Sequence, residues 1–295
     1  MRRLGQHFLD PTWAARVADA IVPAAADVFV EIGAGEGVLT NELAARGARV
    51  VAVEIDPALC ERLRARFVPR QDQGDPELRR RFDTAIAVHC GNILDADLDT
   101  LLPDLAADPV PQPSTVGPGD RWRVRIAGNL PYYISSPILF RLLEWRARVH
   151  DACVMLQQEV AERVAAPPGG KEYGVLSVMV QLYADAGIVL RLPRGAFRPP
   201  PKVQSAVVRL RFLPALRHPV TDERAFGRLV RAAFRERRKT IRNNLRSAVA
   251  RGEAGAVAAL EAAGIDGRRR AETLTVEEFA RLSNFLVGGG SSSVV

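Results

Sequence analysis

A short apolar stretch followed at once by three closely spaced glycines places the strongest constraint on the fold of this chain. Residues 27–32 have the apolar character of a buried strand, and the loop Gly33-Ala34-Gly35-Glu36-Gly37 leads into a helical pattern over 38–46. A second apolar stretch, 49–55, follows directly. The order strand, helix, strand predicts a βαβ unit with two parallel strands.

The same alternation continues along the chain. Further strands are predicted near 85–89, 124–127 and 152–156, each separated from the next by helical or loop segments. This order predicts an α/β fold with a mostly parallel, doubly wound sheet. Two later strands, 184–192 and 205–212, are predicted to form an antiparallel edge of that sheet.

The character of the chain changes near residue 214. Residues 214–219 resemble a linker, and the chain after Thr221 has helical patterns until a Gly/Ser-rich end. We therefore predict an α/β domain over 1–213, a small all-helical domain over 214–287 and a flexible tail over 288–295. Two charged or proline-rich stretches, 69–81 and 104–120, are predicted to be surface loops.

Positive charge is concentrated in one region of the chain. The net charge is +7, but residues 191–250 contain 16 Lys and Arg against 3 Asp and Glu, which leaves a net of −6 on the rest. A basic segment attached to a mildly acidic body is typical of a protein that binds a polyanion such as RNA. A GC-rich genome raises arginine content too, but it does not concentrate arginine in one region.

Several classes of protein are disfavoured by what the chain lacks. Cys60, Cys90 and Cys153 are far apart and form no Cys-x-x-Cys, so neither a disulfide framework nor a metal site is predicted, and a reducing cytoplasm fits. No apolar run is long enough to span a membrane, and residues 1–6 lack a signal peptide's apolar stretch. We expect a cytoplasmic protein without a membrane partner.

The glycine loop and Glu54 have the chemistry of a nucleotide-type cofactor site. Glycines let the backbone approach a ligand closely, and a carboxylate at the end of the second strand accepts hydrogen bonds from ribose hydroxyls. The pattern alone does not separate a dinucleotide from S-adenosyl-methionine, although the Gly-x-Gly-x-Gly spacing departs from the dinucleotide form. Glu31 is placed to lie near a cationic methionine group. The alternative is a glycine turn that only packs a helix on the sheet.

The segment 129–135, Asn-Leu-Pro-Tyr-Tyr-Ile-Ser, is suited to hold an exocyclic amine. An adenine amino nitrogen is a poor nucleophile because its lone pair is delocalised into the ring. The side-chain oxygen of Asn129 and the carbonyl of Leu130 can each accept one of its N–H bonds, which favours a pyramidal nitrogen. Pro131 fixes the turn, and Tyr132 offers a ring for the base to stack on. A lone Asn-x-Pro is more often an ordinary turn.

Phe197 precedes a triple proline, and this stiff segment can hold its ring opposite Tyr132 as the second face of an aromatic clamp. A buried phenylalanine beside a rigid linker is the alternative. Farther along, Arg231, Arg235, Arg238, Arg242 and Arg246 recur every three or four residues, which predicts one basic helical face. We predict RNA contacts from Arg198, Lys202, Arg235, Arg237, Arg238, Lys239, Arg242 and Arg246.

Taken together, these motifs resemble the bacterial small-subunit ribosomal RNA adenine dimethyltransferases over nearly the whole chain. The matching blocks include Gly5-Gln6-His7-Phe8-Leu9, Val30-Glu31-Ile32-Gly33-Ala34-Gly35-Glu36-Gly37, Val53-Glu54-Ile55-Asp56, Asn129-Leu130-Pro131-Tyr132 and Arg237-Arg238-Lys239-Thr240-Ile241-Arg242-Asn243-Asn244-Leu245. The resemblance implies a class I, Rossmann-like methyltransferase sheet. It also implies methyl transfer from S-adenosyl-methionine to N6 of two adjacent adenosines near the 3′ end of small-subunit rRNA.

The resemblance also implies roles for individual residues. The cofactor would be bound by His7, Leu9, Gly33, Gly35, Gly37, Glu54, Ile55, Asn92 and Asn129, and the target base by Asn129, Leu130, Tyr132 and Phe197. His7 stands where Asn is common, and Asn92 where Asp is common. An amide at position 92 keeps an acceptor for the cofactor's adenine amine but loses the carboxylate charge. On its own, Asn92 is more typical of a turn.

The implied partner is small-subunit rRNA within a pre-30S particle, bound by a monomer. Two other functions remain open. A large-subunit rRNA adenine methylase that confers antibiotic resistance would share the same pocket, and the helical domain would have to discriminate between them. A non-catalytic RNA-binding assembly factor would keep the fold, but the intact Asn-Leu-Pro-Tyr turn argues against it.

Overall fold

Strands and helices alternate through the first two thirds of the chain in a computed structural model, which describes residues 7–67, 86–102, 123–249 and 252–288. The predicted loops at 69–81 and 104–120 lie outside the described residues, as does the predicted tail after residue 288. Two compact units are present: Met1–Ala161 with Gly187–Pro214, and Glu162–Ala186 with Ala215–Val295. The sequence prediction placed 162–186 in the first domain, whereas the structure groups this segment with the helical unit.

The larger sheet has seven strands in the described part of the chain, in the order β4-β3-β2-β5-β6-β9-β7. These strands are β2 (Asp27–Ile32), β3 (Arg49–Glu54), β4 (Ile86–Cys90), β5 (Arg123–Asn129), β6 (Asp151–Gln157), β7 (Ala184–Leu192) and β9 (Ser205–Phe212). The first five are mutually parallel, and β9 runs antiparallel to β6. The predicted doubly wound, mostly parallel α/β sheet is therefore confirmed.

The helices of this fold are α1 (Pro11–Ile21), α2 (Val38–Ala45), α3 (Pro57–Phe67), α4 (Leu98–Leu101), α5 (Ser135–Glu144) and α6 (Gln158–Ala165). Every residue of β2 is buried, as expected for a central strand covered on both faces. A separate two-stranded ribbon pairs β1 (Phe8–Leu9) with β8 (Phe197–Arg198), antiparallel. This ribbon holds the start of the described chain against the segment before the prolines.

A buried ion cluster joins the amino ends of three neighbouring strands. The Arg125 guanidinium on β5 donates to Asp27 on β2 at 2.8 Å and to Asp151 on β6 at 2.6 and 2.8 Å. It also donates to the carbonyls of Ile21 and Val22, where α1 ends. The cluster fixes the position of β5 between its neighbours, because a slip of one residue would leave these buried charges unpaired.

The prediction of no disulfide is wrong for one pair of cysteines. Cys60 on α3 and Cys90 at the end of β4 form a disulfide with their Cα atoms 5.9 Å apart, and Cys153 is a buried free thiol. The pair is 30 residues apart in sequence, so its spacing has no recognisable motif. Packing of α3 beside β4 brings the two together. The argument for a reducing compartment therefore loses its support from cysteine usage.

The second unit is helical wherever residues 215–249 and 252–288 have regular structure. It contains α7 (Val175–Tyr183), α8 (Glu223–Ala233), α9 (Ile241–Leu245), α10 (Gly252–Ala262) and α11 (Val276–Gly288). Its core includes a chain of aromatic rings, Tyr173 against Phe234 at 6.2 Å and Phe234 against Phe279 at 5.8 Å. Within the described ranges, no helix combines the length and the hydropathy needed to cross a membrane.

The predicted continuous basic helix is interrupted. Helix α8 ends at Ala233 and α9 begins only at Ile241, so the arginines between 231 and 246 do not share one helical face. Asn244 stabilises the break, because its amide nitrogen donates to the carbonyls of Ala233 and Glu236 at 2.7 and 3.1 Å. Thr240 caps α9 by accepting from Asn243 N. These hydrogen bonds at the end of α8 and the start of α9 stabilise the turn between the two helices.

Candidate active site

A cavity opens at the carboxyl edge of the parallel sheet in the first unit. Its walls are the ends of β2, β3 and β5, the loops that follow them and β4, and the chain ahead of α1. Eight of the nine predicted cofactor residues line it: His7, Leu9, Gly33, Gly35, Glu54, Ile55, Asn92 and Asn129. Open α/β sheets bind ligands at this edge, because the loops after neighbouring parallel strands meet there.

Glu54 is held rigidly at the end of β3. Its Oε2 accepts from Gly35 N at 2.9 Å, and its Oε1 accepts from Ile55 N and Asp56 N at 2.9 and 3.0 Å. The side chain is only 5% exposed, so these backbone donors compensate for much of its lost hydration. The arrangement joins the glycine loop to the acidic strand end, and it fixes a carboxylate in the cavity wall, where the sequence predicts an acceptor for ribose hydroxyls.

The glycines of the loop have two different roles. Gly35 has a φ of +58°, and a Cβ there would come within 3.2 Å of the Phe8 ring at the cavity wall. Gly37 does not line the cavity; a Cβ at this position would lie 2.5 Å from the Phe67 ring and 2.8 Å from Leu63 on α3. Gly35 therefore keeps the cradle open, whereas Gly37 allows the helix after the loop to pack closely.

Glu31 is a buried acid in the cavity wall that has one side-chain partner. Thr40 Oγ1 donates to Glu31 Oε2 at 2.5 Å, and the carboxyl group is 2% exposed. Burial raises the pKa of Glu31 to about 8; the bond from Thr40 opposes this and the charge of Glu54 adds to it. Burial therefore favours the protonated form of Glu31, and a cation bound beside it would favour the ionised form.

Asn129 has its amide fixed by one hydrogen bond while its oxygen is left without a partner. The Nδ2 atom donates to the His7 carbonyl at 2.9 Å, which sets the orientation of the amide. Within the described part of the chain, the buried Oδ1 has no hydrogen-bond partner. A buried unsatisfied acceptor costs about 1–3 kcal/mol, so its presence at a ligand-sized cavity indicates a donor supplied by a ligand.

The turn after Asn129 is held by bonds on both sides. Leu130 N donates to the Met155 carbonyl at 3.1 Å, and Ile134 N donates to the Pro131 carbonyl at 3.1 Å. The hydroxyls of Tyr132 and Ser205 share a hydrogen bond at 2.7 Å. Burial raises the pKa of Tyr132, and the bond with Ser205 opposes that shift. Leu130 and Tyr132 both line the cavity, as predicted.

Tyr132 is stacked on His7 in this structure. The two ring centroids lie 5.9 Å apart with planes 29° apart, and His7 Nδ1 donates to the Pro199 carbonyl at 2.7 Å. Phe197, the predicted second face of the clamp, does not line the cavity. Its side chain is 1% exposed and packs in the core with Leu9 and Ala196, because β8 pairs with β1. The structure thus does not bring Phe197 and Tyr132 together across the cavity.

Asn92 lines the cavity, but both polar ends of its side chain have intramolecular partners. Oδ1 accepts from Leu94 N at 3.2 Å, and Nδ2 donates to Asp95 at 2.8 Å. This is the geometry of an Asx turn, the alternative that the sequence left open. An incoming adenine amine would have to use the remaining lone pair of Oδ1.

The predicted RNA-binding residues are at the surface of their units. Arg198 and Lys202 are exposed in the first unit, where Arg198 is 3.4 Å from Asp10. In the helical unit Arg235, Arg237, Arg238, Lys239, Arg242 and Arg246 are all exposed. Lys239 pairs with Glu236 at 2.8 Å, and the Arg237 guanidinium donates to the Lys171 carbonyl.

Sequence reasoning missed two participants, Thr40 and Ser205. Thr40 lies on α2 and its only sequence signal is its distance of nine residues from Glu31. Ser205 starts β9, and the antiparallel pairing of β9 with β6 brings that start to the carboxyl edge of the sheet, opposite Gln157. Recognising β9 as the neighbour of β6 would have placed Ser205 near the site.

Comparisons with known proteins give the following likenesses. A model of the family described as Ribosomal RNA adenine dimethylase matches residues 1–287. A protein of Myxococcus xanthus (strain DK1622), named Ribosomal RNA small subunit methyltransferase A, is 42% identical over 286 residues, 96% of this chain and 89% of that one.

Two solved structures are similar as well. A dimethyladenosine transferase from Plasmodium falciparum has a TM-score of 0.74 at 23% identity, over 98% of this chain and 100% of that one. The 23S rRNA methyltransferase ErmE has a TM-score of 0.61 at 26% identity, over 95% and 99%. These likenesses confirm the predicted class I methyltransferase fold.

Proposed function

We propose that this chain, which belongs to the family of ribosomal RNA adenine dimethylases, transfers methyl groups from S-adenosyl-methionine to N6 of two adjacent adenosines near the 3′ end of small-subunit rRNA. The likeness to the Myxococcus xanthus protein supports the small-subunit target, since it extends over 96% of this chain. The observation that supports the chemistry most is the buried Oδ1 of Asn129, which has no hydrogen-bond partner among the described residues and belongs to a side chain of the cavity wall.

Asn129 acts on the amine of the target base. Its Oδ1 accepts one N6–H bond and the Leu130 carbonyl accepts the other, which draws the nitrogen out of conjugation with the ring. Because Nδ2 already donates to His7, the amide cannot turn its nitrogen toward the amine without losing that bond. The side chain is therefore preorganised for an N–H donor before the base arrives.

The residues at the carboxyl edge fit S-adenosyl-methionine. Gly33 and Gly35 would leave room for the ligand beside the backbone, Glu54 would accept from its ribose hydroxyls, and Ile55 and Asn92 would contact its adenine. When bound, this cofactor supplies an electrophilic methyl group on a sulfonium sulfur. Transfer of that methyl group to N6 would leave S-adenosyl-homocysteine, and the proton that N6 loses with each methylation would pass to solvent.

Positioning accounts for most of the catalysis in this proposal. The target adenine leaves its stack to enter the cavity, at a cost of a few kcal/mol, and stacking on an aromatic ring offsets part of that cost. Tyr132 lines the cavity and is proposed to supply that ring, with its hydroxyl fixed by Ser205. Holding the nitrogen in line with the methyl group replaces a strong base as the source of rate enhancement.

The helical unit is proposed to select the RNA. Its exposed cations between 235 and 246 lie in and beside the turn between α8 and α9, where they are accessible to the phosphates of an RNA. Arg198 and Lys202 of the first unit are proposed, separately, to contact RNA of the same pre-30S particle. A monomer in the cytoplasm, where ribosomal subunits assemble, is the form in which we expect the chain to act.

Methylation of large-subunit rRNA is the second candidate, supported by the similarity to ErmE. One experiment separates the two. The protein is incubated with labelled S-adenosyl-methionine and either undermethylated small subunits or protein-free large-subunit rRNA, and modified nucleosides are mapped. We expect dimethyladenosine only near the 3′ end of small-subunit rRNA. Label confined to the large-subunit RNA would overturn the proposal in favour of the second candidate.

A further inference from the structure

Tyr133 differs from the other three tyrosines of the chain in its exposure. Tyr173 and Tyr183 are buried in the helical unit, and Tyr132 is half-buried with a bonded hydroxyl. The side chain of Tyr133 is 63% exposed although it lines the cavity. An aromatic ring both exposed and at the edge of a binding cavity is available to a ligand that extends beyond that cavity.

The backbone below this ring is rigid. Tyr133 is the central residue of a short 3₁₀ turn, Tyr132–Ile134, closed by the bond from Ile134 N to the Pro131 carbonyl. Ser135 Oγ donates to the Tyr132 carbonyl at 3.0 Å on the other side. Only the two side-chain torsions of Tyr133 remain free, so a ring contact with a ligand loses little conformational entropy.

A flipped adenosine leaves a neighbouring base on which such a ring can stack. When a nucleotide leaves its stack, the neighbouring base loses its stacking partner on one face. Tyr132 and Tyr133 line the same cavity, and Tyr133 is the more exposed of the two, so a base seated beside Tyr132 would have its neighbour in the RNA at the mouth where Tyr133 lies. Base–aromatic stacking tolerates any base, because every base has a π face.

We propose that Tyr133 forms a second base-binding position at the mouth of the cavity, where it stacks on the nucleobase next to the target adenosine. For a substrate with two adjacent adenosines, that base is the other adenosine. The inference rests on the proposed function, since it requires an RNA substrate whose target base enters the cavity. It assigns Tyr133 to substrate positioning and leaves cofactor binding to the residues deeper in the cavity.

The test is a double-mutant cycle on undermethylated small subunits. The enzyme is wild type, Tyr133→Ala or Tyr133→Phe, and the reconstituted RNA carries an intact or an abasic nucleotide beside the target adenosine. Loss of one stacking contact corresponds to about a 5- to 150-fold rise in KM. We expect that rise for Tyr133→Ala on intact RNA and for wild type on abasic RNA. Combining the two changes should give little further loss, and Tyr133→Phe should behave as wild type.

Two controls separate this proposal from its alternatives. Phe285→Ala removes another exposed aromatic ring, which lies on α11, and should leave KM unchanged. Binding of S-adenosyl-homocysteine, measured by calorimetry, should be the same for wild type and Tyr133→Ala. Three results would each overturn the assignment: weaker binding of S-adenosyl-homocysteine by Tyr133→Ala, additive effects in the cycle, or an unchanged KM. A wild-type protein that forms no dimethyladenosine on intact subunits would instead overturn the proposed function.

Discussion

The two ends of strand β5 have buried polar atoms in opposite hydrogen-bonding states. Near its start, the Arg125 guanidinium donates to two carboxylates and two backbone carbonyls. At its end, four residues later, Asn129 keeps a buried oxygen without a partner in the described structure. One end therefore specifies the position of the strand, and the other keeps a bonding position for a ligand. Hydrogen bonding at the amino end of β5 stabilises the fold, whereas the carboxyl end tolerates an unsatisfied acceptor at the cavity.

The two ends of β5 also differ in how their polar groups contribute to the free energy of folding. A buried ion cluster is costly to disrupt once formed, because any charge left behind remains desolvated. A buried acceptor without a hydrogen bond lowers the stability of the free protein, and the binding of a donor removes this free-energy cost. Substitutions at the amino end should therefore act on folding, and substitutions at the carboxyl end should act on catalysis and ligand binding.

The largest effect on stability is expected for Arg125→Met. Asp27 and Asp151 would both lose their buried partner, so the free energy of unfolding should fall by about 3–5 kcal/mol in urea titrations. Arg123→Met is a matched control, because Arg123 also pairs with Asp27 but is partly exposed; its cost should be about 1 kcal/mol or less. Equal losses for both variants would show that the cluster does not act as argued.

A smaller, pH-dependent effect is expected for Glu31. Its folded-state pKa of about 8 lies above the ordinary value of 4.5, so folding takes up a proton between these two pH values. The stability that wild type derives from protonated Glu31 is full below pH 4.5 and is lost as the pH rises toward 8. The unfolding free energy of wild type minus that of Glu31→Gln should fall by about 1 kcal/mol or more as the pH rises over this range. A constant difference would contradict the shifted pKa.

The smallest effect is expected for Ser205→Ala, which removes the partner of the Tyr132 hydroxyl. Turnover on undermethylated small subunits should fall about threefold to tenfold, with little change in stability. Tyr132→Phe removes the same bond, so the double variant should lose no more than the larger single loss. Ser136→Ala, at an exposed serine on α5, should have no effect. Multiplicative losses would mean that Ser205 does not act through Tyr132.

The parts of the fold that the sequence predicts are those with local signals. The apolar runs, the glycine loop and the strand end at Glu54 are close in sequence, and the sheet follows from their order. The Asn129 turn was assigned from its own chemistry. In contrast, the Arg125 cluster joins the ends of three strands across 124 residues, and no local pattern marks it.

The remaining errors share a cause, which is pairing at long range. Phe197 is buried because β8 pairs with β1, and the Cys60–Cys90 bond depends on how α3 packs beside β4. The basic helix is broken because Asn244 bonds to carbonyls 8 and 11 residues earlier. Arginine periodicity, the triple proline and the lack of a cysteine motif are local signals, and contacts outside those local patterns determined the outcome.

The most direct measurement of the central claim compares Asn129→Ala with wild type in two assays on the same preparation. Dimethyladenosine formed on undermethylated small subunits is mapped and counted, and S-adenosyl-homocysteine binding is measured by calorimetry. For Asn129→Ala, we expect dimethyladenosine formation to fall by about 100-fold or more, while binding of S-adenosyl-homocysteine stays measurable and folding is unaffected. Turnover close to wild type would contradict the claim that the unpartnered oxygen of Asn129 exists to accept the adenine amine.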